Sequence, residues 1–174
     1  MDGKHGENVM ITDAMVMFKR FWTPPETAIK KITGGRLIGF SSIDPMWRYE
    51  CFTEMFGLFG DGWWYDITSK EIISLVGIKE SLVVITINFF YKINGVTSMP
   101  MGAMGASKLV SEEKNGLHFS DEAHKGALTD ALSVVARGLG VGGAVYSGKI
   151  DKYQTDSAIS GADNHKYDSD FVQF

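Results

Sequence analysis

The chain has 174 residues, a formal net charge of −4, 44% hydrophobic residues and 12% aromatics, which suits one folded domain with a packed core and excludes a disordered chain. No apolar run approaches the ~20 residues needed to span a bilayer, and no charged-then-apolar leader opens the chain. The single cysteine, Cys51, excludes an internal disulfide and suits a reducing compartment, so a soluble cytoplasmic protein is expected.

Residues 13–22 are apolar at helical spacing, and Thr23-Pro24-Pro25 stops them. Thr23 or Pro24 can open a second, short helix through Ile32, which Gly34-Gly35 closes. Asp44-Pro45 is a helix start, a carboxylate cap followed by proline at the first helical position. That helix should run to Phe56 and stop at Gly57. Residues 63–76, 80–92 and 96–105 read as three strands. In the middle one Val83, Ile85, Ile87, Phe89, Tyr91 and Ile93 share a face. Asn94-Gly95 is a tight-hairpin signal, and Pro100 makes the third strand an edge or places a bulge there. A polar connector is expected from Ser107 to Phe119, then a helix over 121–137 capped by Ser120. The expected fold is α+β: an antiparallel three-stranded meander with packed helices, a single domain over residues 1–150 and an acidic tail over 151–174.

The overall acidity hides two unlike segments. Between Lys19 and Arg36 stand five basic residues and one acid, whereas residues 151–174 carry five aspartates and two lysines. A local basic surface therefore remains open, alongside the reading of a merely solvated face. Gly138-x-Gly140-x-x-Gly143 has the spelling of a dinucleotide fingerprint, but it follows a helix where that motif must follow a strand. It reads instead as a helix stop and a close-packed turn. Gly143 to Lys149 fails as a phosphate loop because Ile150 stands where a magnesium-binding hydroxyl is needed. His5, His118, His124 and His165 lack metal-ligand spacing. Cys51 reads as a small core residue. No catalytic constellation, cofactor or metal is implied, so no enzyme is expected.

Two helices carry the polar residues of interest. On a wheel, Cys51, Phe52, Met55 and Phe56 define the apolar arc of helix 45–56, and Arg48 falls inside it. A buried arginine needs an internal ion pair, an exit to solvent, or an anion supplied from outside. On helix 121–137, Ala123, Ala127 and Ala131 let a neighbouring element come close, and Leu128, Leu132, Val134 and Val135 widen the core face. Lys125, Thr129, Ser133 and Arg137 recur every fourth residue on the other side. Two cations and two hydroxyls suit phosphate oxygens; they also suit a solvated strip.

The order "ITGGRLIGFSSIDPMWRYECFTEMFG", "GWWYDI", hairpin, "DEAHKGALTDALSVVARGLG" resembles the Rad-fifty-two superfamily of single-strand DNA annealing proteins, whose phage branch includes the Sak type. The similarity runs from about Pro24 to Asp151. The resemblance implies a β-β-β-α core assembling side by side into rings or helical arrays, with single-stranded DNA in a positive groove. It implies ATP-independent annealing in recombination and repair. It maps a groove arginine onto Arg48 and basic groove positions onto Lys125 and Arg137; Ser133 stands where better-known members carry a DNA-binding lysine. Lys30, Lys31, Arg36 and Lys108 are further candidates for the groove wall or an outer path. Of Trp63, Trp64 and Tyr65, which could stack on bases, at least one should be core because three in a row split between faces. A non-annealing coating protein and a purely structural oligomer are the alternatives. The tail, ending Tyr167-Asp168-Ser169-Asp170-Phe171-Val172-Gln173-Phe174, looks somewhat like the acidic, Phe-ending tip of bacterial single-strand binding proteins; it reads as a solvated terminus or as a segment that recruits such a host partner.

Overall fold

The computed structural model describes residues 14–33, 38–74 and 77–147. The fold is mixed α+β, a curled antiparallel sheet with helices packed on one face. Residues 14–20 form α1. A 3₁₀ turn at Glu26–Ala28 leads into β1 (Ile29–Lys31), which pairs antiparallel with β2 (Ser41–Ile43); α2 (Pro45–Phe56) follows. Then come β3 (Trp63–Ser74), β4 (Ser81–Ile93), β5 (Val96–Thr97), β6 (Met101–Glu113), β7 (Gly116–Phe119), α3 (Ala123–Gly138) and the single turn α4 (Gly143–Tyr146). The main sheet runs β3-β4-β6-β7, with β5 also paired to β4.

Three sequence expectations are corrected. The short helix ending at Ile32 does not form. Its residues pair with a distant segment instead: Ile29 to Lys31 pair with Ser41 to Ile43, Ile32 N–H donates to the Phe40 carbonyl, and the Ala28 carbonyl accepts from Asp44 N–H. Tertiary pairing has overridden local propensity. The polar connector from Ser107 to Phe119 is the far half of β6 and a whole fourth strand, joined through Lys114 and Asn115 with Gly116 at φ 111°. Its polar side chains project into solvent while the backbone pairs from Val110↔Phe119 to Glu113↔Gly116. Ser120 does not cap α3: its N–H donates to the Leu109 carbonyl, and the cap position falls at Glu122, whose side chain makes no capping bond.

The antiparallel meander forms, but with five strands instead of three, and the strand expected over 96–105 divides into β5 and β6. Asn94 (φ 52°) and Gly95 (φ 78°) turn β4 back. Pro100 falls in a break between β5 and β6, where Ser98 bridges to Tyr91 through both its N–H and its hydroxyl. Val83, Ile85, Ile87 and Phe89 point inward together. α2 and α3 cover them, adding Cys51, Phe52, Ala127, Ala131, Leu132 and Val135 to a core in which Trp63 packs against Phe52, Phe59, Tyr49 and Phe89. The 138–143 glycines mark a close-packed turn. A Cβ at Gly140 would meet the Phe18 carbonyl, one at Gly143 the Trp22 ring, and the turn bonds back through Gly142 N–H to Phe21 O and Ala144 N–H to Trp22 O. Among the described residues no helix is long and apolar enough to cross a membrane.

α3 rests on β6 at Gly105, where a Cβ would collide with the Ala127 carbonyl oxygen and the Ala131 amide nitrogen. Both obstacles are backbone and cannot swing away. Gly105→Ala is therefore expected to cost about 1–3 kcal/mol or more in denaturant unfolding. Gly102→Ala, three residues earlier with only the Asn88 side chain 3.9 Å away, should stay within about 0.5 kcal/mol of wild type.

Candidate functional site

The site is built at the crossing of α2 and α3. Asp44 caps α2 through a carboxylate oxygen that accepts from Met46 N–H at 2.9 Å. Its other oxygen lies 2.6 Å from Lys30 Nζ, delivered by the β1–β2 pairing. The Lys30 bond, then the Met46 amide, hold the Asp44 carboxyl below its ordinary value, and the Arg48 charge contributes in the same direction. One turn into the helix, Arg48 is 9% exposed. Among the described residues its guanidinium has no hydrogen bond and no ion pair. It lines a narrow crevice with Pro45, Tyr49 and Phe52 of α2, facing Thr129 and Leu132 of α3. Burial pushes the half-buried Tyr49 hydroxyl above its usual value.

The strip on α3 does not act as one row. Spacing of four residues drifts by ~40° per step on an α-helix, so its two ends point about 120° apart. Thr129 faces the crevice. Ser133 is buried, and its hydroxyl donates to the Thr129 carbonyl at 2.7 Å. That bond engages the hydroxyl within its own helix. Lys125 is exposed and lies 2.8 Å from Glu122 Oε1, a bond that raises its pKa. Arg137 is exposed, with its guanidinium 5.0 Å from the centroid of the Tyr146 ring.

The remaining candidates scatter. Lys31 is exposed on β1. Arg36 lies outside the described residues, as does the acidic tail. Lys108 pairs with Leu82, so alternation puts it on the sheet face away from α3, where it bonds Glu80 at 2.7 Å. The three consecutive aromatics divide between faces. Trp63 is core; Trp64 stacks on Phe90 across the other face (5.5 Å, 13°) beneath the Lys92 ammonium; half-buried Tyr65 meets Phe59. The structure thus brings Lys30, Arg48 and Thr129 to one end of α2 and leaves Lys108 apart. Tyr49 and the carboxylate Asp44 are members that sequence reasoning missed. Asp44 was legible only as a cap, because its second oxygen is used by a lysine 14 residues earlier.

No family model and no curated protein matches the chain. Among the described residues no group of three or more His, Cys, Asp or Glu is placed to hold a metal ion.

Cys51, on the core side of α2, is 1% exposed, and burial raises its thiol from 9.0 to about 12. The native protein should resist a thiol reagent at pH 8 and react fully in denaturant. Because the fold keeps a proton that the unfolded chain releases, this group should also lower stability as pH rises from 9 toward 12, read as a falling denaturation midpoint.

Proposed function

We propose that the chain binds single-stranded DNA and anneals complementary strands without ATP, as a ring or helical homo-oligomer of the phage recombination type. The observation that carries this reading is Arg48. A guanidinium held against an apolar arc without an internal anion is costly unless an outside group completes it. Asp44, whose carboxyl feels its charge, is already bonded to Lys30. Thr129 stands across the crevice as a second small donor. A phosphate oxygen suits both, and neither residue reads a base edge, so binding is sequence-tolerant. Lys125 is held by the exposed Glu122, Lys30 by the partly exposed Asp44, and Arg137 lies over the exposed Tyr146 ring. A polyanion can displace such contacts at small cost, because exposed ion pairs are weak.

Annealing on this reading needs no covalent step. Repeated subunits hold phosphates, base edges stay open to a second strand, and pairing at ~1.4 kcal/mol per stacked step drives the product. Repetition also resolves the charge: copies side by side align their cations even though each copy is acidic.

Arg48→Ala should weaken binding of a labelled oligothymidylate by about tenfold to a hundredfold and flatten the log–log salt dependence by about 0.7, with particle size by light scattering unchanged. Wild-type affinity at moderate salt would remove Arg48 from the interface. Mixing complementary and non-complementary oligonucleotides then separates annealing from coating: the protein should accelerate duplex formation only for the complementary pair, and no acceleration would leave a coating protein.

A further inference from the structure

The sheet is open at both sides, and its two sides are treated differently. On the β6 side, β7 pairs only from Val110 to Glu113, and the Ser120 N–H takes the Leu109 carbonyl. Among the described residues, the stretch of β6 before Leu109 has β4 on one flank and no strand on the other. Successive amides of such a strand alternate between the paired and the unpaired flank. Ala106 N–H is one that points outward, since its bond goes not to β4 but to the Asp130 carboxylate of α3, at 3.1 Å. Both residues are exposed. The contact follows from the backbone-to-backbone seat of α3. With Gly105 under Ala127 and Ala131, and Gly126 against Ser107, the helix sits low enough for the next side chain to reach around the strand.

We propose that Asp130 is an edge guard, whose carboxylate occupies the outward Ala106 amide and bars an extended strand of a second copy from the β6 side of the sheet. A strand adding there needs an unbroken ladder of amides and carbonyls. Asp130 removes one donor in the middle and sets a charge where the incoming backbone would lie. β3 is handled differently: among the described residues no side chain bonds its outward amides, but its register shifts between Ile67 and Ser69. This inference stands apart from the nucleic-acid reading, and its test uses no DNA.

Asp130→Ala should speed hydrogen exchange at the Ala106 amide by about tenfold or more, as loss of a charge-assisted bond requires, and should shift light scattering toward larger, heterogeneous particles. Asp130→Asn keeps an acceptor and should retain most of the protection. Proline at an outward edge position has no amide to offer a new strand. The double variant Asp130→Ala/Ala106→Pro should therefore return the size distribution to that of wild type. Faster exchange with unchanged particle size overturns the guard. Enlarged particles that Ala106→Pro fails to reverse also overturn it, because they would reflect misfolding of α3 rather than an opened edge.

Discussion

One turn of α3 lies directly on the backbone of β6 at Gly105, with no side chain between them. The alanines at 123, 127 and 131, all fully buried, keep the helix that low. From that seat the rest follows. α3 comes near enough to α2 for Thr129 and Leu132 to close a crevice on Arg48. Leu132 and Val135 reach the aromatic core around Phe52 and Trp63. Asp130 reaches around the strand to its outward amide. A larger residue at position 105 would lift the helix and loosen the core, the crevice and the edge contact at once, since closely packed interiors transmit strain.

Electrostatics in this molecule are mostly short-range and exposed. Lys30, Lys79, Lys92, Lys108 and Lys125 each have one carboxylate in reach at the surface. Such pairs contribute little to stability and are screened by salt, so they set the shape of the surface potential more than the fold. Arg48 is the exception. It is 9% exposed, on the apolar arc of α2, and among the described residues its guanidinium makes no direct ion pair, although its charge reaches the Asp44 carboxyl. A mostly buried arginine without a direct ion pair weighs more in a functional reading than the several paired lysines around it.

Much of the fold was legible because the signals were local. Asp44-Pro45 and Gly57 bound α2, Asn94-Gly95 turned the hairpin, and the alternation of β4 told its inner face from its outer one. A second Asn-Gly pair, at Asn115-Gly116, carried the β6–β7 hairpin in the same way, but the polar residues around it obscured the strands. Polar side chains do not prevent pairing when both faces of a hairpin end are exposed, since the ladder is made by backbone alone. The 23–32 segment misled for the opposite reason: its caps suit a helix, yet its partners lie a dozen residues on.

The sequence by itself determined α2, β4 and α3 with their inward faces, and the presence of an arginine on a buried arc. Each depends on periodicity within one segment, and periodicity is a property of neighbours in the chain. Only the tertiary structure decided which polar groups remain available. Ser133 turned out to be bonded to its own helix, Asp44 to be shared between a cap and Lys30, Lys108 to lie on the far face, and Asp130 to close a strand edge. Whether a donor or charge is free depends on groups that are distant in sequence and within ~3 Å in space, and no pattern along the chain encodes that distance.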